Sequence, residues 1–280
     1  MSNYSNVMML DVNVSKYEGR KGDKGAGMAL DSDRNVKGKG HSVVKITCDA
    51  EEMSDYLQPY TDFKKWLNTN CLPIGENRYL FLVDKYQDVV TKVDDFGVKF
   101  TRGYKHFCDN FYNEIVPKQK NRLNDAWDEA DYPSDILSKF GCHVLFTTVP
   151  DASSVQKYIG LPQEDVDRLV VENEKAVTAM FETAMRHPYK RIVEVVNKMV
   201  EKLSDESARF KNSLVDNIKE VVDLLPQLNI TKSKELEDIA DRLNQDLCSV
   251  APDALRYDLN KRKEVVEKAE KIMADLEGYF

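Results

Sequence analysis

The residues of this chain with chemistry to offer are four histidines, five cysteines, scattered acidic pairs and a glycine-rich segment dense in lysine. Gly22 and Gly27 have the glycine spacing of a phosphate-binding loop, in which backbone amides and one lysine hold a nucleotide's phosphates. Met28 and Ala29 stand where that lysine and its hydroxyl neighbour belong, so no such loop is expected. Without it, Asp128-Glu129-Ala130-Asp131, which spells a helicase motif, is a coincidence of letters. His106 with Cys108, and Cys142 with His143, are ligands of the type zinc takes. Adjacent residues on a strand point to opposite faces, so packed side chains are expected there rather than a metal. No Gly-x-Ser-x-Gly elbow occurs, and the histidines form no obvious acid–base pair. Acidic pairs such as Asp94-Asp95 and Glu51-Glu52 read as solvated helix positions. The chain is expected to bind rather than to react, without a cofactor.

The strongest positive signal is basic. Lys16, Arg20, Lys21, Lys24, Arg34, Lys37, Lys39 and Lys45 face only four acidic residues between positions 16 and 45, a balance of +4. The whole chain carries −8, so the remainder carries −12, and the sequence is polarised. Cations on a free glycine backbone can follow phosphates without fixed register, which suits single-stranded DNA bound without sequence preference. Tyr17 lies within this stretch as a candidate stacking ring, with Tyr56, Tyr60, Trp66 and Tyr79 nearby in sequence. Two readings stay open: a DNA-contacting loop, or a merely soluble and mobile connection whose neighbouring aromatic residues belong to the core.

Glycines at 19, 22, 25, 27, 38 and 40 argue against a helix and for a long flexible loop. On either side, Val7–Val14 and Ser42–Thr47 read as strands that pair with each other. A helix from Asp49 or Ala50 to about Asn70 buries Met53, Tyr56, Leu57, Tyr60, Phe63 and Leu67 along one face. Tyr79–Val83 and Cys142–Val149 are further strands. Between them, about Asp84 to Lys120 carries an apolar stripe at three- and four-residue steps, with Gly97 and Gly103 marking close helix contact or a bend. After Pro162 the pattern is helical throughout: Val166–Leu203 with a kink at His187-Pro188, then Asp205–Leu225, Ser233–Leu247 and Ala254–Leu276. The expected fold is α+β and predominantly α-helical. Residues 1–153 form a small antiparallel sheet with helices and the basic loop, and residues 154–280 form a helical region. Long antiparallel helices also make a homo-oligomer reasonable.

A hydrophobic content of 42% against 31% charged residues fits amphipathic helices with wide solvated faces. No run approaches the roughly 18 apolar residues of a membrane span. The start, Met1 to Met9, has neither a basic opening nor a long apolar stretch, so no export signal is expected. Cys48, Cys71, Cys108, Cys142 and Cys248 are odd in number and lack a CxxC pair, which reads as reduced thiols in a cytoplasmic protein.

Several phrases carry a family resemblance. They are Lys16-Tyr17-Glu18-Gly19-Arg20-Lys21 followed by Asp23-Lys24, Asp131-Tyr132-Pro133-Ser134, Phe140-Gly141-Cys142-His143-Val144, Thr148-Val149-Pro150, and Arg209 to Asn217 running on to Leu224–Asn229. In these the chain resembles a phage-encoded, helix-rich family long described only as of unknown function, which includes the Drc-like proteins of lytic podoviruses. The resemblance implies binding of single-stranded DNA as a cofactor to a phage RNA polymerase, in the host cytoplasm, with the Gly-Arg-Lys-x-Asp-Lys stretch making the DNA contacts. Other members of the broader family are encoded beside MoxR-type AAA+ ATPases and von Willebrand A proteins, which implies an adaptor or assembly role instead. The acidic C-terminal half offers no obvious DNA-facing surface.

Overall fold

The computed structural model describes residues 4–151, 160–205 and 207–279. In chain order its main elements are β1 (Val7–Ser15), β2 (Arg20–Asp23), α1 (Lys24–Asp33), β3 (Val43–Ile46), α2 (Ser54–Asn70), β4 (Leu72–Pro73), β5 (Arg78–Leu82), α3 (Tyr86–Asn110) and α4 (Val116–Leu123). There follow β6 (Gly141–Thr148), α5 (Gln163–Ser204), α6 (Ser213–Leu228), α7 (Lys234–Leu243), α8 (Pro252–Tyr257) and α9 (Leu259–Leu276). With 66% helix and 12% strand the fold is predominantly α-helical α+β. One antiparallel sheet has the order β4-β5-β1-β6, and β2 and β3 form a separate ribbon. No described helix is long and apolar enough to cross a membrane.

The chain divides into two compact units. The first takes Met1–Asp11, Leu67–Gln87 and Leu145–Phe280. Its strand β1 pairs antiparallel with β5 from Val7↔Leu82 to Asp11↔Arg78, and Asp11 and Arg78 close the register with a 2.7 Å ion pair. Its core is aliphatic. Ile192, Val196 and Met199 of α5 are fully buried, as are Ile218 on α6, Leu243 on α7, and Ala269 and Ile272 on α9. Helix α5 runs unbroken through His187-Pro188.

Helix ends leave carbonyls without partners, and in this unit basic side chains from other elements supply them. His187 Nε2 donates to the Asn68 carbonyl at 3.0 Å and Arg191 to that of Thr69 at 2.7 Å, at the end of α2. Burial pushes the His187 pKa down, which favours the neutral imidazole. Arg262, only 4% exposed, donates to the carbonyls of Lys202, Leu203 and Asp205 where α5 ends. A cation at a helix C-terminus also meets the negative end of its dipole.

The second unit takes Val12–Trp66 and Asp88–Val144, and its core is aromatic. Phe63 of α2 stacks on Phe96 of α3 at 4.1 Å, while Tyr56 meets Phe107 and Phe140 edge-on at 5.1 and 4.9 Å. The two helices touch at Gly103, where a Cβ would sit 2.2 Å from the Asp55 carbonyl oxygen, so only glycine fits the crossing. At Gly97 a Cβ would meet nothing within 4 Å, so of the two glycines marked for a contact or a bend only Gly103 is a contact. The expected helix to Lys120 continues to Leu123 but widens into a π turn at Phe111–Ile115. Pro117 lacks the amide an α-helix needs and clashes with the carbonyl four residues back, and the wider turn accommodates it.

Two expectations about the basic stretch are corrected. It is not one flexible loop: Arg20–Asp23 is a strand and Lys24–Asp33 a helix. Nor does the strand after it pair with β1, because β3 pairs with β2 and β1 pairs with β5. Some boundaries also move. Helix α2 begins at Ser54, α6 at Ser213, and Asp258 separates α8 from α9.

Candidate nucleic-acid interface

Lys24–Asp33 is helical despite Gly25 and Gly27 because both of its ends are capped. The Asp23 side chain accepts the Ala26 amide at 2.9 Å, an N-cap that satisfies one orphan donor. At the other end Asn35 adopts φ +53°. The amides of Asn35 and Val36 then return to the carbonyls of Ser32 and Asp31, at 3.1 and 2.8 Å. That is a Schellman closure with asparagine in the left-handed position. The chain turns back through Gly38 at φ +90°, a conformation L side chains rarely adopt.

The Asp31 side chain fastens this return. Its carboxylate accepts the Gly40 amide at 3.2 Å and pairs with His41 Nδ1 at 2.6 Å. The His41 hydrogen bond, helped by the Gly40 amide, holds the Asp31 pKa below its ordinary value. The helix rests on the incoming strand at Gly27, where a Cβ would lie 3.3 Å from the His41 carbonyl. Strands β2 and β3 pair from Arg20↔Ile46 to Asp23↔Val43. Beyond the ribbon the Gly19 carbonyl accepts both the Thr47 and Cys48 amides, and Arg122 donates to the Ile46 carbonyl at 2.8 Å.

The expected site residues fall into two groups. Arg20, Lys21, Lys24, Arg34, Lys37 and Lys39 are exposed, and none forms an ion pair with a described residue. Lys16, Tyr17 and Lys45 are committed inside the unit. Lys16 pairs with Glu18 and lies over the Tyr60 ring at 4.8 Å. Lys45 bonds Asp131 at 2.7 Å, which raises its pKa. Tyr17 is 8% exposed, its hydroxyl 2.9 Å from Thr47 Oγ1, and its ring edge-on to Phe111 at 5.5 Å. Burial raises its pKa and leaves no ring face for a base. Tyr56 and Tyr79 are likewise core residues.

What the residue types did not disclose is an apolar complement to the free cations. Met28 is 72% exposed, Val44 54% and Ile46 51%. Alternation along Val43–Ile46 does separate two faces, but only the packing of Lys45 onto Asp131 decides which one points outward. The surface therefore presents unpaired cations on a capped helix, its return and a ribbon, with aliphatic side chains among them. It can hold a polyanion by charge and also offer apolar contact.

Of the other candidates, Cys142 and His143 are exposed rather than packed as expected, and the rest have structural occupations. Asp128 caps a single 3₁₀ turn through the Ala130 amide, and Asp131 is the partner of Lys45, so the helicase-like letters serve local geometry. His106 pairs with Asp55 at 2.8 Å. Burial pushes the Cys108 thiol up to about 11 and those of Cys48 and Cys71 up to about 12. Among the described residues no group of three or more His, Cys, Asp or Glu could hold a metal ion. In the first unit a cleft of about 580 Å³ lies between the end of β5 and helices α6 and α7, lined by Leu82, Val83, Leu225, Pro226 and Leu236 among others. No family model, curated protein or solved structure matches the chain.

Proposed function

We propose that this protein binds single-stranded DNA without catalysis, through the surface of α1, its return to His41 and the β2–β3 ribbon. The observation that carries the reading is the set of exposed cations Arg20, Lys21, Lys24, Arg34, Lys37 and Lys39, which no described carboxylate neutralises. Phosphates displace counterions from such a surface, so affinity falls with salt. The resemblance drawn from the sequence supports a role for this activity in phage transcription or replication, as a cofactor to a phage RNA polymerase in the host cytoplasm.

The test is fluorescence anisotropy with labelled single-stranded and duplex oligonucleotides over a range of salt. Replacing Arg34, Lys37 and Lys39 by alanine should lower affinity and flatten the salt dependence by about 0.7 in log–log slope for each phosphate contact removed. Substitution is the sound route, because deleting the segment would also remove strand β2 from its pairing with β3. Absence of binding by the intact protein at low salt would end this reading.

A second reading, an adaptor docking an AAA+ ATPase or another phage protein through its helices, is favoured by the apolar cleft beside β5, α6 and α7. It expects Val83→Asp, at a cleft residue that is 43% exposed, to abolish a complex with a neighbour-encoded ATPase and the alanine variants of the basic surface to leave that complex intact.

A further inference from the structure

We propose that the outward face of the β2–β3 ribbon receives the bases of a bound single strand and thereby sets a preference for unpaired over paired nucleic acid. The inference rests on the nucleic-acid reading above and adds Gly22, Val44 and Ile46 to it. In an antiparallel pair, directly opposite residues share a face. The register places Arg20 opposite Ile46 and Gly22 opposite Val44. Lys45, on the other face, is held by Asp131, so Val44 and Ile46 point outward, each about half exposed. A surface whose only task was to attract phosphate would gain from threonine or lysine at these two strand positions.

Gly22 is the second observation. Glycine inside a strand weakens it, and it commonly marks either a conformation other residues avoid or the close approach of another group. Gly22 has no positive φ, and a Cβ built on it would meet nothing within 4 Å. The chain's own structure therefore gives no reason for glycine there. Its effect is an open notch beside Val44, on the face that the register also gives to Arg20. A flat ring can lie in that notch against the valine, and the arginine can stack on the next base or pair with its phosphate. A duplex keeps its base faces inside the stack, so only an unpaired strand can use the site.

The experiment compares the parent protein with two variants, Val44→Ser together with Ile46→Ser, and Gly22→Val. Each is titrated into a labelled oligothymidylate and an abasic sugar–phosphate chain of the same length, with circular dichroism to check folding. Gly22→Val adds a β-favouring side chain in open space and should fold at least as well as the parent. The parent should favour oligothymidylate over the abasic chain. Both variants should lose about tenfold on oligothymidylate, with abasic affinity and salt slope unchanged. Equal binding of the two ligands by the parent, or variants that keep the discrimination, would overturn the inference and leave the charge-based reading standing. Failure of the parent to bind either ligand would overturn both.

Discussion

Helix α5 buries Ile192, Val196 and Met199 completely among aliphatic neighbours, whereas α1 buries only Gly27 and Asp31. The first is held by apolar area, at about 25 cal/mol for each Å² removed from water. The second is held by an N-cap, a Schellman closure and one carboxylate bonded to Gly40 and His41. Polar fastenings of that kind are directional and cover little surface, so side chains around them stay exposed. Met28, Val44, Ile46 and the unpaired cations are on view for the same reason that the segment lacks a core of its own. Surfaces that meet ligands tend to come from such lightly buried regions, while the global stability resides elsewhere.

The contrast can be broken at four places. Ile192→Ala, at a fully buried position, should cost about 2–5 kcal/mol in denaturant unfolding and leave DNA affinity of the folded protein unchanged. A loss in the range of a surface substitution would mean that α5 does not carry the core. Arg262→Ala should cost roughly 3 kcal/mol, because it strands the carbonyls of Lys202, Leu203 and Asp205 at the end of α5. Arg262→Lys should recover only part, since one ammonium cannot reproduce the guanidinium fork.

The third effect is local. The Asp31 pKa is lowered by its His41 bond, so folding favours the charged carboxylate. That contribution is complete above the unfolded value of about 4 and disappears as pH falls through the lower folded value. Nuclear magnetic resonance should therefore show the Gly40 amide leaving its folded environment on acidification while α5 amides hold theirs. Asp31→Ala should produce the same change at neutral pH. Simultaneous loss in α1 and α5 would erase the distinction between the two kinds of order. The smallest effect is a gain. Gly97→Ala fills open space within α3 and should raise stability by up to about 1 kcal/mol, readable as a shift in the denaturation midpoint.

Much of this architecture was legible along the chain. The stripe from Val89 through Phe96, Phe100 and Phe107 repeats at helical spacing, and those residues are the buried face of α3. Gly97 and Gly103 were both marked in that stripe for a contact or a bend, and Gly103 is the point where α3 meets α2. The basic stretch was harder to read. Glycines argued for a loop, while the signals that overrule them, Asp23 as cap and Asn35 as stop, are single residues. Each glycine opposes a helix by about 1 kcal/mol, a deficit that one cap and a closure offset.

By itself, then, the sequence determined the helical character of the molecule, the strands β1, β3, β5 and β6, and the concentration of positive charge near residues 16–45. Those properties depend on composition and on periods of two to four residues, which are local. The tertiary structure alone decided that β1 takes β5 and β3 takes β2, since any two strands of suitable pattern can pair. It likewise sent Tyr17 into the aromatic core and tied Lys45 to Asp131, leaving Val44 and Ile46 outside. Burial and ion pairing depend on what distant parts of the chain bring to the same place, and no local pattern carries that information.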